Sequence, residues 1–533
     1  MVFLCLSLSP SLVPRDWLLQ GAVSGVSAAI GYGLGVLGSH LVRSLLPRWR
    51  EPSPQVKHRA WLGLAVTGPV LVVVAALLAG VWQRRLHELM GIEDPPPTSY
   101  LGTVLVASTL LVLLVLAGRS LRLAARGVGL RLRRWIQHDL AAVLGAVLVG
   151  VVVLAGFEGV LLRAMLAGAD RSFQAIDEAI TDEVAPPAGP WRSGGPESHV
   201  AWEDLGLQGR AFVHRVTDIE QLRAFDGRAA AAPIRVYAGL ASAAEASERA
   251  ALAVAELERT GAFDREVLVV AGATGRGWIN PLAAAAIEHL HAGDTAIVSM
   301  QYSYQPSWVS FLVDQERAAE AGVQLFEQVH EAWAARPFDE RPRLFVYGES
   351  LGSLAMESAF TDVADLRERT DGALLVGPPN ANPLWRALTR SRAPDSPERL
   401  PVVDDGQAVR FAAAPEDFAK LDGPWEAPRV AYLQHASDPV VWWSPRLLVQ
   451  RPDWLAEPPG PDVAPQMRWF PFVTFWQLSA DLAYADDVPP GHGHDYGTQV
   501  LDGWLAVAAP DGWDDEATER LRALLEQLRD ELW

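Results

Sequence analysis

Four uncharged apolar runs lie in the first third of the chain, and each is long enough to cross a bilayer. They are Trp17–Ser39, Ala60–Trp82, Leu101–Gly118 and Leu140–Phe157. A membrane-spanning helix needs about 20 apolar residues. No charged residue interrupts any of the runs, which argues against a transporter or channel, because such proteins keep ionisable groups within their spans. The sequence therefore predicts a four-helix transmembrane region over residues 1–165.

The charges in the connecting loops predict the orientation of this region. The loops after the first and third runs are rich in basic residues, namely Arg43, Arg48, Arg50, Lys57 and Arg59, and then Arg119, Arg122, Arg126, Arg131, Arg133 and Arg134. Positively charged loops stay in the cytoplasm. With an even number of spans, we expect a multi-pass protein of the cell membrane whose chain after about Gly159 is extracytoplasmic. The first run starts too late and is too long for a signal peptide, so we expect it to be retained.

The rest of the chain has the opposite charge. Residues 1–165 hold 15 basic and 7 acidic residues, a balance of +8. Because the net charge of the whole chain is −19, residues 166–533 carry a net charge of −27. Such an acidic region is not suited to bind nucleic acid. The only cysteine is Cys5, which excludes disulfide bonds within the chain.

The acidic part contains a linker and one large domain. Residues 166–200 collect Pro and Gly and are interpreted as a linker. From residue 201 to 533, short β-rich stretches alternate with helical ones, a pattern that predicts an α/β fold with a mostly parallel central sheet. The predicted strands are Pro233–Leu240, Glu266–Ala271, Asp294–Ser299, Arg343–Tyr347, Gly372–Val376 and Arg429–Gln434.

A G-x-S-x-G motif follows the fourth of these strands. It reads Gly348-Glu349-Ser350-Leu351-Gly352 and opens a helical stretch. A strand, a sharp turn and a helix are the context in which such a serine is exposed as a nucleophile. Ser350 is therefore the predicted nucleophile.

A serine nucleophile needs a base and an acid that orients the base. In the strand–turn–helix arrangement the order along the chain is Ser, acid, His. Asp438 follows the strand Arg429–Gln434 and is the predicted acid. The later segment Pro489–Tyr496 contains two candidate bases, His492 and His494. We favour His494 because it adjoins Asp495-Tyr496, but the sequence leaves both open.

The developing oxyanion needs hydrogen-bond donors. The backbone N–H of Leu351, next to the nucleophile, is one predicted donor. The second is expected from Thr274 or Gly275, in the loop after the strand Glu266–Ala271. This loop lacks the Lys-Ser/Thr ending of a P-loop and the spacing of a dinucleotide fingerprint, so a nucleotide site is not expected.

Beyond the strand Asp294–Ser299, polar and aromatic residues lie where the ends of the strands face the site. Gln301, Tyr302, Tyr304 and Trp308 are the predicted substrate-binding residues. The alternative is that these aromatic side chains pack in the core.

These motifs resemble those of the actinobacterial family of membrane-anchored α/β-hydrolases. The resemblance is carried by RPRLFVYGESLG from Arg341, ATGRGWINP at 273–281, QYSYQPSW at 301–308, DGALLVGPP at 371–379, PPGHGHDYG at 489–497, and SLVPRDWLLQGAVSGVSAAIGYGLG near the N-terminus. One departure is Ala273-Thr274-Gly275-Arg276, where a threonine-glycine-threonine-glycine run is expected. The resemblance covers nearly the whole chain and implies the α/β-hydrolase fold and a hydrolase activity.

The sequence thus predicts a membrane-anchored serine hydrolase, similar to esterases and lipases, that needs neither metal nor organic cofactor. Its expected partners are the lipid bilayer and a lipid or small ester substrate, and its oligomeric state is left open. Two alternatives are an acyltransferase that uses the same triad, and a catalytically silent scaffold that binds a lipid or a protein. Intact Ser350, Asp438 and both histidines argue against the scaffold.

Overall fold

The computed structural model describes residues 1–45, 53–93, 99–156, 163–179 and 184–532. Arg48 and Arg50 of the first basic loop, and Phe157 at the end of the fourth apolar run, lie outside these residues. The chain forms two compact units. The first comprises Met1–Ala169 and Pro445–Tyr484, and the second comprises Asp170–Ser444 and Ala485–Trp533.

The helices are numbered in chain order. The first six are α1 (Val2–Leu6), α2 (Trp17–Leu45), α3 (Pro54–Leu89), α4 (Tyr100–Leu132), α5 (His138–Gly156) and α6 (Arg163–Glu178). The others are α7 (Gly206–His214), α8 (Ile219–Asp226), α9 (Ala246–Thr260), α10 (Pro281–Leu290), α11 (Ser307–Val313), α12 (Gln315–Ala334), α13 (Leu351–Glu357), α14 (Val363–Arg369), α15 (Pro383–Ser391), α16 (Pro439–Trp442), α17 (Val473–Asp481), α18 (Gln499–Ala508) and α19 (Asp515–Leu532).

Among the described residues, three helices are long and apolar enough to cross a membrane, namely α2, α3 and α4. The fourth predicted span corresponds to α5, whose apolar stretch Val143–Val153 is shorter. The structure therefore supports three of the four predicted spans. Because the orientation argument depends on an even number of spans, the extracytoplasmic placement of the C-terminal part stays a prediction.

The first unit also contains a segment from far along the chain, Pro445–Tyr484, which packs on the N-terminal residues. Asp481, at the end of α17, is fully buried and forms an ion pair with Arg15, with 3.3 Å between Oδ1 and Nε. Its Oδ2 accepts hydrogen bonds from Leu12 N (3.0 Å) and from the Ser11 hydroxyl. The segment between the predicted acid and the predicted base thus belongs to the unit that holds the long apolar helices.

The second unit is built on seven strands. They are β1 (Ile234–Ala238), β2 (Val267–Gly272), β3 (Thr295–Met300), β4 (Arg343–Glu349), β5 (Gly372–Val376), β6 (Val409–Ala412) and β7 (Arg429–Leu433). All neighbouring strands run parallel, in the order β1-β3-β2-β4-β5-β7-β6. This confirms the predicted fold class. The sequence analysis missed β6, because this four-residue strand is too short to produce a pattern.

The sheet is buried on both faces, which explains the continuous apolar runs of its strands. Gly272 at the end of β2 is in register with Gly348 of β4, and Glu349 of β4 is in register with Val376 of β5. The carboxyl ends of these three strands therefore meet at one edge. In parallel α/β sheets this edge is where ligands bind.

Part of the predicted linker is helical. Helix α6 continues to Glu178, and Asp177 near its end is buried in the second unit. Residues 180–183 of the linker lie outside the described residues. The segment 166–200 thus contributes a buried side chain to the domain that follows it.

Candidate active site

Ser350 stands at a sharp turn between β4 and α13. Its backbone has φ 53° and ψ −127°, a conformation that costs free energy in residues other than glycine and that is typical of functional sites. The turn also needs glycines, because a Cβ atom on Gly348 would collide with the carbonyl oxygen of Gly352. The Ser350 N–H donates to Val376 O at 2.9 Å, which ties the turn to the end of β5. This is the nucleophile geometry that the motif predicts.

Asp438 follows β7 and is fully buried at the start of α16. Its Oδ2 accepts hydrogen bonds from His494 Nδ1 and from the Tyr496 hydroxyl, both at 2.7 Å. Its Oδ1 accepts from Val440 N at 2.8 Å. Three donors therefore satisfy this buried carboxylate, and one of them fixes the orientation of the imidazole of His494.

The other ring nitrogen of His494 has no partner among the described residues. Nε2 is buried and lacks a hydrogen bond there. The ring packs against Gly377, and a Cβ atom at that position would lie 2.8 Å from His494 Nδ1. Val376, the residue before Gly377, accepts the hydrogen bond from Ser350 N. The Ser350 turn and the imidazole of His494 therefore contact two consecutive residues. An oriented imidazole whose second nitrogen is free is what general-base chemistry requires.

The surroundings of His494 favour its charged form. Burial alone would lower the pKa of the imidazole, but the carboxylates of Asp438, Asp486 and Glu349 outweigh burial and raise the pKa to about 9. An imidazolium at this position is therefore stabilised by its surroundings.

The structure places the second candidate base differently. His492 has no hydrogen bond to Asp438, and its Nδ1 is buried without a partner in the described part of the chain. Both ring nitrogens of a third histidine, His435, form hydrogen bonds, Nδ1 with Gly493 O at 2.9 Å and Nε2 with Gln499 Oε1 at 2.7 Å. No group of three or more His, Cys, Asp or Glu side chains suited to a metal occurs among the described residues.

The loop after β2 reaches the nucleophile turn through Thr274. The Thr274 hydroxyl donates to Glu349 O and accepts from Gly352 N at 3.2 Å, so it joins the loop to both sides of Ser350. The Thr274 N–H is bonded to Trp278 O at 2.9 Å, within the loop. The Gly275 N–H donates to the Tyr302 hydroxyl at 2.9 Å. Leu351 is the first residue of α13, so its N–H is not used by the helix.

The four predicted substrate-binding residues have different surroundings. Gln301 and Tyr302 are buried, at 1% and 3% exposure, whereas Trp308 on α11 is 56% exposed. Tyr304 is partly buried. The Gln301 amide donates to Arg276 O at 3.0 Å, behind the loop, and Tyr302 accepts from Gly275. Two of the four residues thus contact the loop after β2.

Sequence reasoning assigned no role to Glu349, the residue before the nucleophile. Its buried carboxylate accepts from Tyr347 OH at 2.7 Å and from Asn280 Nδ2 at 2.8 Å. Burial raises the pKa of Glu349, while these hydrogen bonds and His494 act in the opposite direction. The sequence signal for a role of Glu349 was an acidic residue directly before the predicted nucleophile, within the G-x-S-x-G motif.

Comparison with known families agrees with this geometry. The model described as "Alpha/beta-hydrolase family" matches residues 234–521, and that described as "Alpha/beta-hydrolase family N-terminus" matches residues 8–216. No curated protein and no solved structure matches the chain. The resemblance inferred from the motifs is confirmed for the family and its N-terminal region, while an actinobacterial source and four spans stay predictions. With more than half of its residues matched by the family model, the chain belongs to the α/β-hydrolase family.

Proposed function

We propose that this protein is a membrane-anchored serine hydrolase that cleaves a carboxylic ester, with a lipid ester as its substrate. The observation that carries the proposal is the pair formed by His494 and Asp438, with the second imidazole nitrogen left free beside the strained Ser350 turn. A buried acid, an oriented imidazole and a serine at a strained strand-to-helix turn are the parts of a nucleophilic acyl-transfer site.

In the proposed reaction, His494 Nε2 removes the proton of the Ser350 hydroxyl, and the serine oxygen attacks the ester carbonyl. The tetrahedral intermediate collapses when His494 returns the proton to the departing alcohol, which leaves an acyl group on Ser350. Water then attacks the acyl-enzyme by the same route and releases the acid. Throughout, Asp438 keeps Nδ1 protonated and stabilises the imidazolium.

The oxyanion of this intermediate needs donors. The first is the N–H of Leu351. The N–H groups of Thr274 and Gly275 are already bonded, to Trp278 O and to the Tyr302 hydroxyl, so we assign the second donor to the Tyr302 hydroxyl, which the loop after β2 holds. That hydroxyl accepts from Gly275, so its own proton is available to an oxyanion. Burial raises the pKa of Tyr302 above its usual range and keeps this proton in place.

A lipid substrate is supported by the membrane region of the same chain. Within the described part of the chain, three helices are long and apolar enough to cross a bilayer, which supports a hydrolase unit tethered to a membrane. Trp308, Leu312 and Val313 are exposed apolar side chains of α11, the helix whose first residue, Ser307, lies against Gly275 of the loop after β2. Such side chains suit an acyl chain better than a polar metabolite.

The activity is tested with purified protein in detergent, short p-nitrophenyl esters and a panel of lipid esters. We expect hydrolysis and fluorophosphonate labelling that are both lost in Ser350→Ala. Turnover or labelling that survives in Ser350→Ala would contradict the assignment of the nucleophile. Transfer of the acyl group to an added alcohol acceptor would favour the acyltransferase, and lipid binding without turnover or labelling would favour the silent scaffold.

The orientation is tested on intact spheroplasts. If the hydrolase unit is extracytoplasmic, added protease should cut within residues 166–200 and release it. Protection in intact cells with cleavage only after lysis would reverse the orientation inferred from the basic loops.

A further inference from the structure

A buried carboxylate that the proposed reaction does not use lies at the end of α6. Asp177 is 2% exposed. Its Oδ2 accepts from Gln301 Nε2 at 3.0 Å, and its Oδ1 accepts from Leu207 N at 3.2 Å. Burial raises the pKa of Asp177, so this carboxylate is held at a cost in free energy. A buried carboxylate that costs free energy is expected to have a structural or functional role.

The partner of Asp177 holds the loop after β2, here called the oxyanion loop (residues 273–278). Gln301 Nε2 donates to Arg276 O at 3.0 Å, and Gln301 Oε1 accepts from Leu240 N at 3.0 Å. Gln301 Nε2 also donates to Ser303 O at 3.1 Å, so the NH2 group is shared among the Asp177 carboxylate, the loop and Ser303, while Oε1 faces Leu240. The orientation of this amide fixes the direction of the Arg276 carbonyl.

The next carbonyl of the loop is held in a similar way. The Tyr237 hydroxyl donates to Gly277 O at 2.8 Å. Gly277 has φ +99°, and a Cβ atom there would collide with that hydroxyl. Two successive carbonyls are thus bound from behind by buried side chains. Because both carbonyls are held, the loop keeps the orientation in which the Gly275 N–H donates to the Tyr302 hydroxyl.

We propose that Asp177 is a positioning residue for the oxyanion loop and acts through Gln301. This inference rests on the proposed function, and it adds a role for the segment that follows the membrane region. The carboxylate offers two acceptor oxygens, so Gln301 must turn its NH2 group toward it and thereby toward Arg276 O. Asparagine at position 177 offers only one oxygen to two donors, and its own NH2 group meets either the Gln301 NH2 or the Leu207 N–H.

The test uses the full chain in detergent with Asp177→Asn. We expect faster hydrogen exchange of the amides in residues 273–278, and a kcat lower by about 10- to 100-fold with KM changed less than about twofold, since misplacing a catalytic group by about 1 Å costs rate by up to about 100-fold. If Asp177→Asn does not accumulate, Gln301→Asn, which withdraws the amide from the loop, carries the same expectation.

Asp371→Asn is the matched control. Asp371 is also a carboxylate of the second unit whose pKa is raised by burial, but it accepts from Leu344 N at 2.7 Å, at the start of β4 and far along this strand from Ser350. We expect this variant to lower Tm while loop exchange and kcat stay as in the unmodified protein.

Two results would overturn the inference: loop exchange and kcat that do not change in Asp177→Asn, or equal changes in Asp371→Asn, which would indicate general destabilisation. Failure of the proposed function is distinguishable, because turnover by the unmodified protein would then be absent or independent of Ser350. Hydrogen exchange still measures the position of the loop in that case.

Discussion

The imidazole of His494 lies directly against Gly377, so that a methyl group at this glycine would come within 2.8 Å of His494 Nδ1. Gly377 follows β5, and the residue before it, Val376, accepts the N–H of Ser350. The end of one strand therefore supports both the nucleophile turn and the base. This explains why position 377 is a glycine, with φ +53°.

Gly377→Ala should displace the imidazole and reduce kcat/KM by about tenfold or more. The matched control is Gly227→Ala, because Gly227 also has positive φ, +73°, but a Cβ atom there meets nothing within 4 Å. Both variants should lose a similar amount of stability from backbone strain, as measured by Tm. An equal loss of activity in the two variants would contradict the packing argument.

The pH dependence of kcat/KM should report His494. A histidine acts as a base only when it is deprotonated, and the pKa of His494 is raised to about 9. We therefore expect kcat/KM to rise with pH through about 9, with the value at pH 7 about 100-fold below the plateau. In Asp438→Asn the midpoint should move to lower pH, because a principal negative charge is lost. A midpoint that stays near the usual histidine value in the unmodified protein would argue against this electrostatic effect.

Separate substitutions should distinguish the two candidate bases. His494→Ala should lower kcat by about 10³-fold or more, because the residue paired with Asp438 is removed. His492→Ala should reduce it by less than about tenfold, since no hydrogen bond joins His492 to Asp438 among the described residues. The measurement is single-turnover acylation by a p-nitrophenyl ester, with the rate of fluorophosphonate labelling as a second readout. A larger loss in His492→Ala would reverse the assignment.

The ion pair between Arg15 and Asp481 should matter for the stability of the first unit. Burial raises the pKa of Asp481 and lowers that of Arg15, so each charge depends on the other. Asp481→Asn leaves the buried guanidinium without its counter-charge and should destabilise the unit by about 3–5 kcal/mol. The measurement is Tm in detergent.

The double variant Arg15→Met with Asp481→Leu serves as the control for this ion pair. Because it removes both charges and retains apolar volume, its Tm should lie much closer to that of the unmodified protein. If the double variant is as unstable as Asp481→Asn, the loss arises from packing and not from the unpaired charge.

Much of the fold was predictable because its signals are local. Continuous apolar strands between helices indicated a parallel sheet covered on both faces, and the structure has seven parallel strands. The turn at Ser350 was predictable from five residues, because the contact that requires Gly348 lies within the motif, although Gly352 is required by its contact with Gly272 of β2. Strand β6 was missed because four residues are too few for a periodic pattern.

Other features depended on contacts between residues distant in the chain. The sequence narrowed the base to His492 or His494, and only the fold brings His494 to Asp438, 56 positions earlier. The pairing of Arg15 with Asp481, and the assignment of Pro445–Tyr484 to the first unit, left no local pattern.

By itself, then, the sequence determined the apolar helices, the parallel α/β class and the strand–turn–helix at Ser350, since the signal of each is a pattern among residues that are close along the chain. Only the tertiary structure decided which histidine meets Asp438, why Gly377 is a glycine, and how Asp177 reaches the oxyanion loop through Gln301. The physical reason is that hydrogen bonds and steric exclusion act over a few ångströms in space, whatever the separation of the residues in sequence.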